Sequence, residues 1–436
     1  MLKSIRIQNF KSYKDATFEL SPFTVLIGAN ASGKSNAIEA LRFMSNLAQG
    51  QKLSSFRYAV MNQNGGIRGN IEKMMYQDKS KCSFTCTFDY DDYNVLKTEI
   101  SLNDDELHIV KEELKQKDGK LLYEIKEHSE GAYATDVHVS YDNFKRGNRK
   151  PTIACSDQLA IFSQLTSPAS LSEKYEKSKK IIPEICKRIE NDLRSMFFLD
   201  PVPAKMRRFC PRDKMLQSSG ENISGVVFNL TRNPLAYSRE ERSANKKAIL
   251  DFIKSLPEQD FVKLYSMKAP NGESIVALTE FFGSEMREYD ASLLSDGTLR
   301  VLAIAVALLS ASENSLVVIE EIDNGIHPSR AKTLLSKINE ISKKRKLKIL
   351  ITTHNPALLN ALPSEVVPNS VFCYRDVSDG SSKLIKISDI PNSVDLLMRG
   401  SLGDLLASQQ LDLFVKKNES EEEKEKKSLE WLNNLL

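Results

Sequence analysis

The sequence predicts an α/β fold with an antiparallel β subdomain and a mainly helical insertion. Near its start, the apolar run Phe23–Ile27 is followed by a glycine-rich turn and a helical pattern, the order of a strand–loop–helix unit. Alternation of period two dominates residues 82–139, which predicts an antiparallel meander. Helical periodicity dominates residues 151–285, and an α/β pattern returns at Ser295.

The composition is typical of a globular protein with enough apolar residues for a sizeable core. Of the 436 residues, 41% are hydrophobic and 27% are charged. The net charge of +3 is too small to argue for or against nucleic acid. The longest apolar run, 301–309, is too short to span a bilayer. With six scattered cysteines and no signal-peptide core, these features predict a cytoplasmic protein without a membrane partner.

The N-terminal part begins with three strand patterns, at Leu2–Gln8, Ala16–Leu20 and Phe23–Ile27. From Lys34 to about Leu47, apolar side chains recur on one face of a predicted helix. Residues 51–80 contain turn signals without a clear period, so we expect this segment to be irregular.

The C-terminal part alternates helices with buried strands. Helices are predicted from Ser295 to about Ser310 and after Pro328. Strands are predicted at Leu316–Ile319 and Lys348–Thr352, because each is a short run of mostly apolar residues. The charged run 419–427 predicts a solvated helix face or a frayed tail.

The glycine-rich turn carries the most specific motif of the chain. Residues 28–35 read Gly-Ala-Asn-Ala-Ser-Gly-Lys-Ser, a complete G-x-x-x-x-G-K-[ST] phosphate loop between a strand and a helix. Its glycines let backbone N–H groups point at a polyphosphate, and the helix N-terminus adds partial positive charge. Lys34 can reach the outer phosphates, and the Ser35 hydroxyl can bind Mg²⁺. The motif predicts a nucleotide-binding site.

Two carboxylates follow the predicted strand at 316–319. Glu320 and Glu321 are unfavourable at the end of a buried strand unless they meet a cation. We expect Glu320 to support Mg²⁺ through its water shell, and Glu321 to act as general base or to position the attacking water.

Two further stretches suit a phosphate group. Residues 294–298, Leu-Ser-Asp-Gly-Thr, open a long apolar helix whose serine, glycine and free N–H groups form a second anion site. His354 follows the strand at 348–352 and is a candidate sensor of the γ-phosphate.

The order of these motifs resembles that of the ABC-type ATPases, in the branch of SMC, RecF and OLD proteins. Residues 28–35 are similar to Walker A, 316–321 to Walker B with the catalytic glutamate, and 294–298 to the LSGGQ signature. His354 resembles the switch histidine, and 321–328 the E-x-[DE]-x-x-x-H-P stretch that contains the D-loop. Residues 5–13 resemble the opening strand and turn of this branch, which implies that Lys11 and Ser12 lie near the nucleotide.

The resemblance implies a P-loop NTPase head of the ABC/SMC type that uses ATP and Mg²⁺. Glu321, His354 and Lys34 would be catalytic, and Ser35 with Glu320 would hold the metal. The residues expected to bind the nucleotide are Gly28, Asn30, Ala31, Ser32, Gly33, Lys34, Ser35, Asn36, Lys11, Ser12, Ser295 and Gly297.

The chain departs from the family pattern at three points. Walker B ends in Glu-Glu instead of Asp-Glu, and Asp296 stands where the signature usually has glycine. No glutamine can be assigned to a Q-loop, because the candidate Gln63 falls in an irregular segment.

The motifs divide the chain into four parts. Residues 1–150 would form the N-terminal half of the ATPase head, with the meander at about 82–139, and 151–285 the helical insertion. Residues 286–395 would form the C-terminal half, with the signature, Walker B and switch histidine, and 396–436 a charged tail.

The whole chain resembles stand-alone ATPases of bacterial anti-phage and abortive-infection systems of the Septu, PARIS and AbiL types. This implies a head-to-tail homodimer stabilised by ATP, with larger assemblies possible, that regulates a separately encoded effector protein. The alternative is a DNA-binding repair ATPase similar to RecF or SMC, and basic patches at 145–150, 205–214 and 343–346 keep nucleic acid possible as a partner. An OLD-type nuclease ranks last because the residues after His354 contain no D-x-D. A transporter subunit would have a shorter ATPase domain without this insertion.

Overall fold

The computed structural model describes residues 1–56, 66–103, 105–128, 135–147, 150–254, 261–282, 285–323 and 328–417. Several sequence predictions fall outside these ranges: Gln63, part of the basic patch at 145–150, half of the D-loop stretch (324–327) and the charged run 419–427. The described side chains do not include those of 282, 328, 416 and 417.

The strands are, in chain order, β1 (Leu2–Phe10), β2 (Tyr13–Glu19), β3 (Phe23–Ile27), β4 (Lys81–Phe88), β5 (Val95–Asn103), β6 (Glu106–Lys115), β7 (Leu121–His128), β8 (Asp136–Tyr141), β9 (Thr152–Ser156), β10 (Phe197–Leu199), β11 (Phe261–Lys268), β12 (Ser274–Phe282), β13 (Glu285–Asp290), β14 (Leu316–Ile319), β15 (Lys348–Thr352), β16 (Val371–Arg375) and β17 (Ser382–Lys386).

The helices are α1 (Lys34–Ala48), α2 (Ile161–Gln164), α3 (Glu176–Arg194), α4 (Pro203–Met206), α5 (Ile223–Arg232), α6 (Arg239–Ile253), α7 (Asp296–Ser310), α8 (Pro328–Arg345), α9 (Pro356–Asn360), α10 (Ser393–Met398), α11 (Leu402–Ala407) and α12 (Gln410–Lys417). Single 3₁₀ turns lie at Glu72–Met74, Pro168–Ser170, Val367–Asn369 and Ile387–Asp389.

A mainly parallel sheet positions the site. Its strand order is β10-β14-β15-β3-β16-β17, and only β17 runs antiparallel to its neighbour. β3, β14 and β15 are buried along their whole length, as expected for strands covered on both faces. Because parallel strands end at the same edge, the segments that follow β3, β14 and β15 come together there.

An antiparallel sheet of eight strands, in the order β2-β1-β4-β5-β6-β7-β8-β9, forms the second layer. Helix α1 lies between the two sheets, since one core cluster contains its side chains together with residues of both sheets. Aromatic rings fill this layer: Phe84 of β4 lies 5.2 Å from Phe10 and 5.2 Å from Phe43, measured between ring centroids. The alternation in 82–139 thus does form a meander, and it continues into β1, β2 and β9.

The other face of the parallel sheet is covered by α5, α6, α7 and α8, together with the three-stranded sheet β11-β12-β13. Residues 301–308 of α7 are all buried, which explains the continuous apolar sequence there. The fold is therefore the predicted α/β architecture with an antiparallel subdomain.

The segment 151–285 differs from the expected helical insertion. Helices α2 to α6 lie in it, but so do β9 of the eight-stranded sheet, β10 of the parallel sheet, and β11 to β13. β10 has three residues, too few to show a period in the sequence. The segment is consequently divided between the two main cores and has no separate core among the described residues.

All six cysteines are buried thiols without a disulfide bond. Among the described residues, no helix is long and apolar enough to cross a membrane.

Candidate functional site

The phosphate loop connects β3 to α1, and its two glycines are required by its backbone. Gly28 and Gly33 have φ values of 148° and 120°, a region that side chains with a Cβ rarely adopt. A Cβ on Gly33 would lie 2.2 Å from the Ser382 hydroxyl, and one on Gly28 would lie 2.2 Å from the Cys373 carbonyl oxygen. The loop is therefore packed directly against β16 and β17.

Hydrogen bonds from β2 and β17 hold the loop in shape. The Ser382 hydroxyl donates to the Ser32 carbonyl over 2.6 Å, and the Tyr13 hydroxyl donates to the Gly33 carbonyl over 3.0 Å. From the side, Arg375 Nε donates to the Ala31 carbonyl over 3.1 Å. These bonds fix the loop before any ligand arrives, which reduces the ordering cost of binding.

The ammonium group of Lys34 lies inside the curve of the loop. Its Nζ donates to the carbonyls of Gly28 and Ala29 over 2.7 and 2.8 Å. Burial lowers the pKa of Lys34 from its usual value, whereas Cys373, Glu321 and Asp323 act in the opposite direction. The ammonium group is thus held by carbonyl oxygens of the loop itself.

Glu320 and Glu321 follow β14 at the edge where β3 and β15 also end. Glu320 forms an ion pair with Arg42 of α1, with Nη2 2.8 Å from Oε1. Burial raises the pKa of Glu320; Arg42 counteracts this effect, and nearby Asp200 adds to it. Asp200 follows β10, whose Leu199 pairs with Ile319, so Asp200 stands beside Glu320 across the sheet edge.

The backbone of Glu321 is held in an unusual conformation. Its φ is 46°, in the left-handed region that only glycine adopts readily. Its N–H donates to the Thr352 hydroxyl over 2.9 Å, which ties the residue to the end of β15. Such conformations persist where the surroundings determine them, and they are concentrated at functional sites.

His354 lies close to the carboxylate of Asp323, with Nδ1 3.5 Å from Oδ2. The histidine side chain is 50% exposed and that of Asp323 is 5% exposed. The second carboxylate oxygen of Asp323, Oδ1, is buried without a hydrogen-bond partner in the described structure. This pair connects the segment after β15 with the segment after β14.

These elements surround one cleft of about 310 Å³. Its lining includes nine residues that the sequence predicts as site residues, namely Asn30, Ala31, Gly33, Lys34, Ser35, Asn36, Glu320, Glu321 and His354. It also includes residues that the sequence analysis missed: Ile38, Arg68, Thr352, Thr353 and Arg375. Arg68 comes from an irregular segment and Arg375 from the end of β16, and no motif marks either of them.

Other predicted nucleotide-binding residues lie outside this lining. Gly28 and buried Ser32 form the base of the loop, and Ser12 lies beneath it, where the Asn36 amide donates to its hydroxyl over 2.7 Å. Lys11 departs further from the expectation, because its ammonium group pairs with Glu39 and donates to the Arg68 carbonyl over 2.7 Å. That these four residues, Gly28, Ser32, Ser12 and Lys11, contact a nucleotide stays a prediction.

The signature residues also lie away from the cleft of their own chain. Ser295 caps α7, and its hydroxyl accepts from the Thr298 N–H over 3.1 Å. Ser295 is exposed and Gly297 partly exposed, and the lining of the cleft includes neither of them. The signature therefore places the capped N-terminus of α7 at the surface.

A family comparison agrees with this combination of fold and site. Residues 1–359 match the model of the AAA ATPase domain family. The match extends over most of the chain, so the chain belongs to this family.

Curated relatives match over shorter stretches. The chain is 30% identical over 91 residues to the chromosome partition protein Smc of Methanocaldococcus jannaschii, which is 20% of this chain and 8% of that protein. It is 34% identical over 74 residues to the DNA replication and repair protein RecF of a Cyanothece species, 16% of this chain and 20% of that protein. It is 36% identical over 100 residues to structural maintenance of chromosomes protein 1 of Caenorhabditis elegans, 22% of this chain and 7% of that protein.

Solved structures of SMC heads align with most of the chain at low similarity. An Smc head bound to the C-terminal winged-helix domain of ScpA has 13% identity and a TM-score of 0.48, over 88% of this chain and 97% of that chain. The SMC head domain from Thermotoga maritima has 13% identity and a TM-score of 0.40, over 88% of this chain and 98% of that chain.

Proposed function

We propose that the chain is a Mg²⁺-dependent ATPase that binds ATP in this cleft and hydrolyses it to ADP and phosphate. The observation that carries the proposal is the convergence of the phosphate loop, the acidic pair at 320–321 and His354 on one cleft. Membership of the AAA ATPase domain family supports ATP as the nucleotide.

The donor set at the cleft suits Mg²⁺. The side chains of Ser35 and Glu320 both line it, and hydroxyl and carboxylate oxygens are the ligands that this hard cation prefers. Bound there, Mg²⁺ would offset phosphate charge and help to orient the polyphosphate. An ammonium group has three donors and can bond several oxygens at once. When ATP binds, Lys34 would replace its bonds to the loop carbonyls with bonds to the outer phosphate oxygens.

Two residues have proposed roles in the chemical step. Glu321 would take the proton of the attacking water, and the hydrogen bond from its backbone N–H to Thr352 would help to hold the carboxylate near the outer phosphate. His354 is half-exposed at the rim of the cleft and would contact the γ-phosphate. Phosphate release should require Mg²⁺ and stop on addition of EDTA; equal release without a divalent cation would contradict the proposal.

The proposal extends to a dimer in which two chains close head to tail over two ATP molecules. It is supported by the surface position of Ser295 and Gly297, because residues placed there could reach a nucleotide held by another chain. Leu293, directly before the signature, is 69% exposed and would be covered in such a dimer. Light scattering on the Glu321→Gln variant with and without ATP tests this. A monomer under both conditions would contradict the dimer.

We further propose that the dimer regulates a separately encoded effector in a bacterial defence system. The support is the resemblance to stand-alone defence ATPases. Closure of the ATPase can move the outer parts of 151–285, because β10 in this segment belongs to the same sheet as β14.

Deletion of 151–285 is not a suitable test of the effector proposal, because it would remove β10 and the part of the core that α5, α6, β11 and β12 contribute. A pull-down with the neighbouring operon product should use the intact chain with charge reversals on exposed residues of α6, such as Glu240→Lys. Co-expression should give ATPase-dependent growth arrest or phage resistance. Growth arrest that persists in Lys34→Ala would show that the effector acts independently of the ATPase activity.

The alternative, a DNA-binding repair ATPase, is favoured by one observation. Arg212 and Lys268 lie over the same Phe228 ring, 4.3 and 5.3 Å from its centroid, so two cations are gathered at one place on the surface. If they contact phosphates, DNA affinity should fall steeply with salt, and Arg212→Glu with Lys268→Glu should lower the affinity and make its dependence on salt shallower. Unchanged affinity in the double variant would remove this support.

A further inference from the structure

Asp296, at which the signature departs from the family pattern, forms an ion pair with a residue far away in the sequence. Asp296 is the first residue of α7, where the resembling motif has glycine. Its Oδ1 lies 2.6 Å from Nη2 of Arg207, which follows α4. The same nitrogen donates to the Leu294 carbonyl over 3.0 Å. One guanidinium therefore holds both the acidic side chain and the backbone just before Ser295.

Asp296 is favourable for an isolated helix but unfavourable for the proposed dimer. A carboxylate at a helix N-terminus interacts well with the helix dipole. In the dimer, however, the same N-terminus faces the polyphosphate of the second chain, and a carboxylate beside it would repel the ligand. The side chain of Asp296 is 66% exposed, so it lies on the surface that would approach the nucleotide.

We propose that Arg207 is a positioning residue that neutralises Asp296 and fixes the Leu294–Ser295 turn, so that the signature can accept the nucleotide of a second copy of this chain. The inference rests on the proposed function. Arg207 acts on the nucleotide only through Asp296 and the turn.

The segment that carries Arg207 is anchored independently of its guanidinium. Met206 is fully buried in the core between the parallel sheet and helices α5 to α8, and Cys210 exchanges two backbone hydrogen bonds with Ser274, of 3.1 and 3.0 Å. Truncation of Arg207 should therefore leave the fold in place. In Arg207→Ala, Arg300 is still present on α7, one turn along the helix from Asp296.

The test compares Arg207→Ala, Asp296→Gly, the double variant and Arg207→Lys. Each is examined in the Glu321→Gln background for the ATP concentration that gives half-maximal dimer by light scattering, and in the otherwise wild-type chain for KM and kcat. Arg207→Ala should raise the required ATP concentration and KM by about tenfold, because it leaves the Asp296 charge uncompensated. Asp296→Gly should need the same ATP concentration as the parent chain or less.

The double variant decides between charge compensation and a structural role. If Arg207 compensates Asp296, the two substitutions are coupled. The double variant Arg207→Ala with Asp296→Gly should then need an ATP concentration within about twofold of that needed by Asp296→Gly alone. High salt should also reduce the defect of Arg207→Ala. Arg207→Lys keeps the charge, so it should need an ATP concentration between those of the parent chain and of Arg207→Ala. A double variant as impaired as Arg207→Ala, or a normal Arg207→Ala, overturns the inference.

Lys205→Ala is the matched control. It removes a cation two positions from Arg207, but the partner of Lys205 is Glu221, 4.0 Å away. It should leave the ATP requirement unchanged; an effect equal to that of Arg207→Ala would show that total charge, not the pair, matters. If the parent chain fails to dimerise with ATP, the proposed function itself fails, and this differs from a dimer that is insensitive to Arg207.

Discussion

Arg42 of α1 forms an ion pair with Glu320, which follows β14 and lines the cleft, with Nη2 2.8 Å from Oε1. The guanidinium also lies over the ring of Phe198, 4.5 Å from its centroid. Arg42 thus joins the helix of the phosphate loop to β10 and β14, and it compensates an acidic group that is mostly buried.

Replacing Arg42 by Met should lower the free energy of unfolding by about 2 kcal/mol, because Glu320 loses a charged hydrogen-bond partner in a partly buried position. The side chains of the pair are 16% and 24% exposed. Arg6→Met is the control, since its pair with Asp15 is 52% and 39% exposed and should contribute less than about 1 kcal/mol. Denaturant unfolding of both variants measures the difference; equal losses would contradict the argument from burial.

Lys34→Ala should weaken ATP binding by about a hundredfold, because it removes the cation inside the phosphate loop. Titration of a fluorescent ATP analogue measures the affinity. Lys14→Ala is the control, since Lys14 is 57% exposed and pairs with Asp379 outside the cleft. Binding by Lys34→Ala equal to that of the wild type would place the nucleotide elsewhere.

Glu321→Gln should keep ATP binding and reduce turnover by about 10²- to 10⁴-fold, because it removes the base while preserving shape. Single-turnover hydrolysis and binding should be measured on the same preparation. Retained turnover would mean that another group takes the proton, and parallel loss of binding would indicate a structural defect.

The stability of the protein should fall between about pH 5 and 8 because of Glu112. This carboxyl is fully buried; its Oε1 accepts from the Tyr123 hydroxyl and the Phe162 N–H, both over 2.8 Å. Burial raises the pKa of Glu112 from 4.5 to about 7, so the folded state favours the neutral form. Its contribution is complete below the unfolded pKa and is lost as pH rises through the folded pKa.

Glu112→Gln should remove this dependence, since an amide oxygen can accept the same two bonds without ionising. Relative to the variant, the wild type should lose roughly 3 kcal/mol of unfolding free energy by pH 8. Denaturant midpoints measured across this pH range provide the test. Parallel curves for the two proteins would show that Glu112 does not titrate there.

The parts of the site that are contiguous in sequence could be predicted. Helix α1 begins at Lys34, and β14 and β15 have the expected bounds. Short buried runs next to a phosphate loop are strong local signals, because the strand, the turn and the helix all depend on neighbouring residues.

The parts that depend on distant packing could not be predicted. Arg375 reaches the Ala31 carbonyl only because β16 lies beside β3. Asp200 stands beside Glu320 because a strand of three residues completes the sheet edge. Lys11 turns to Glu39, a buried carboxylate that the helical pattern of α1 does not reveal as a partner.

The position of β3 has a consequence for biosynthesis. Its residues 23–27 pair with β15 at 348–352 and with β16 at 371–375. A ribosome therefore completes the phosphate-loop sequence long before it makes either neighbouring strand, and the apolar strand meanwhile has no sheet to join. The cleft can therefore form only after β15 and β16 have been translated, and a product truncated before β15 would carry the complete loop motif without the strands that surround it.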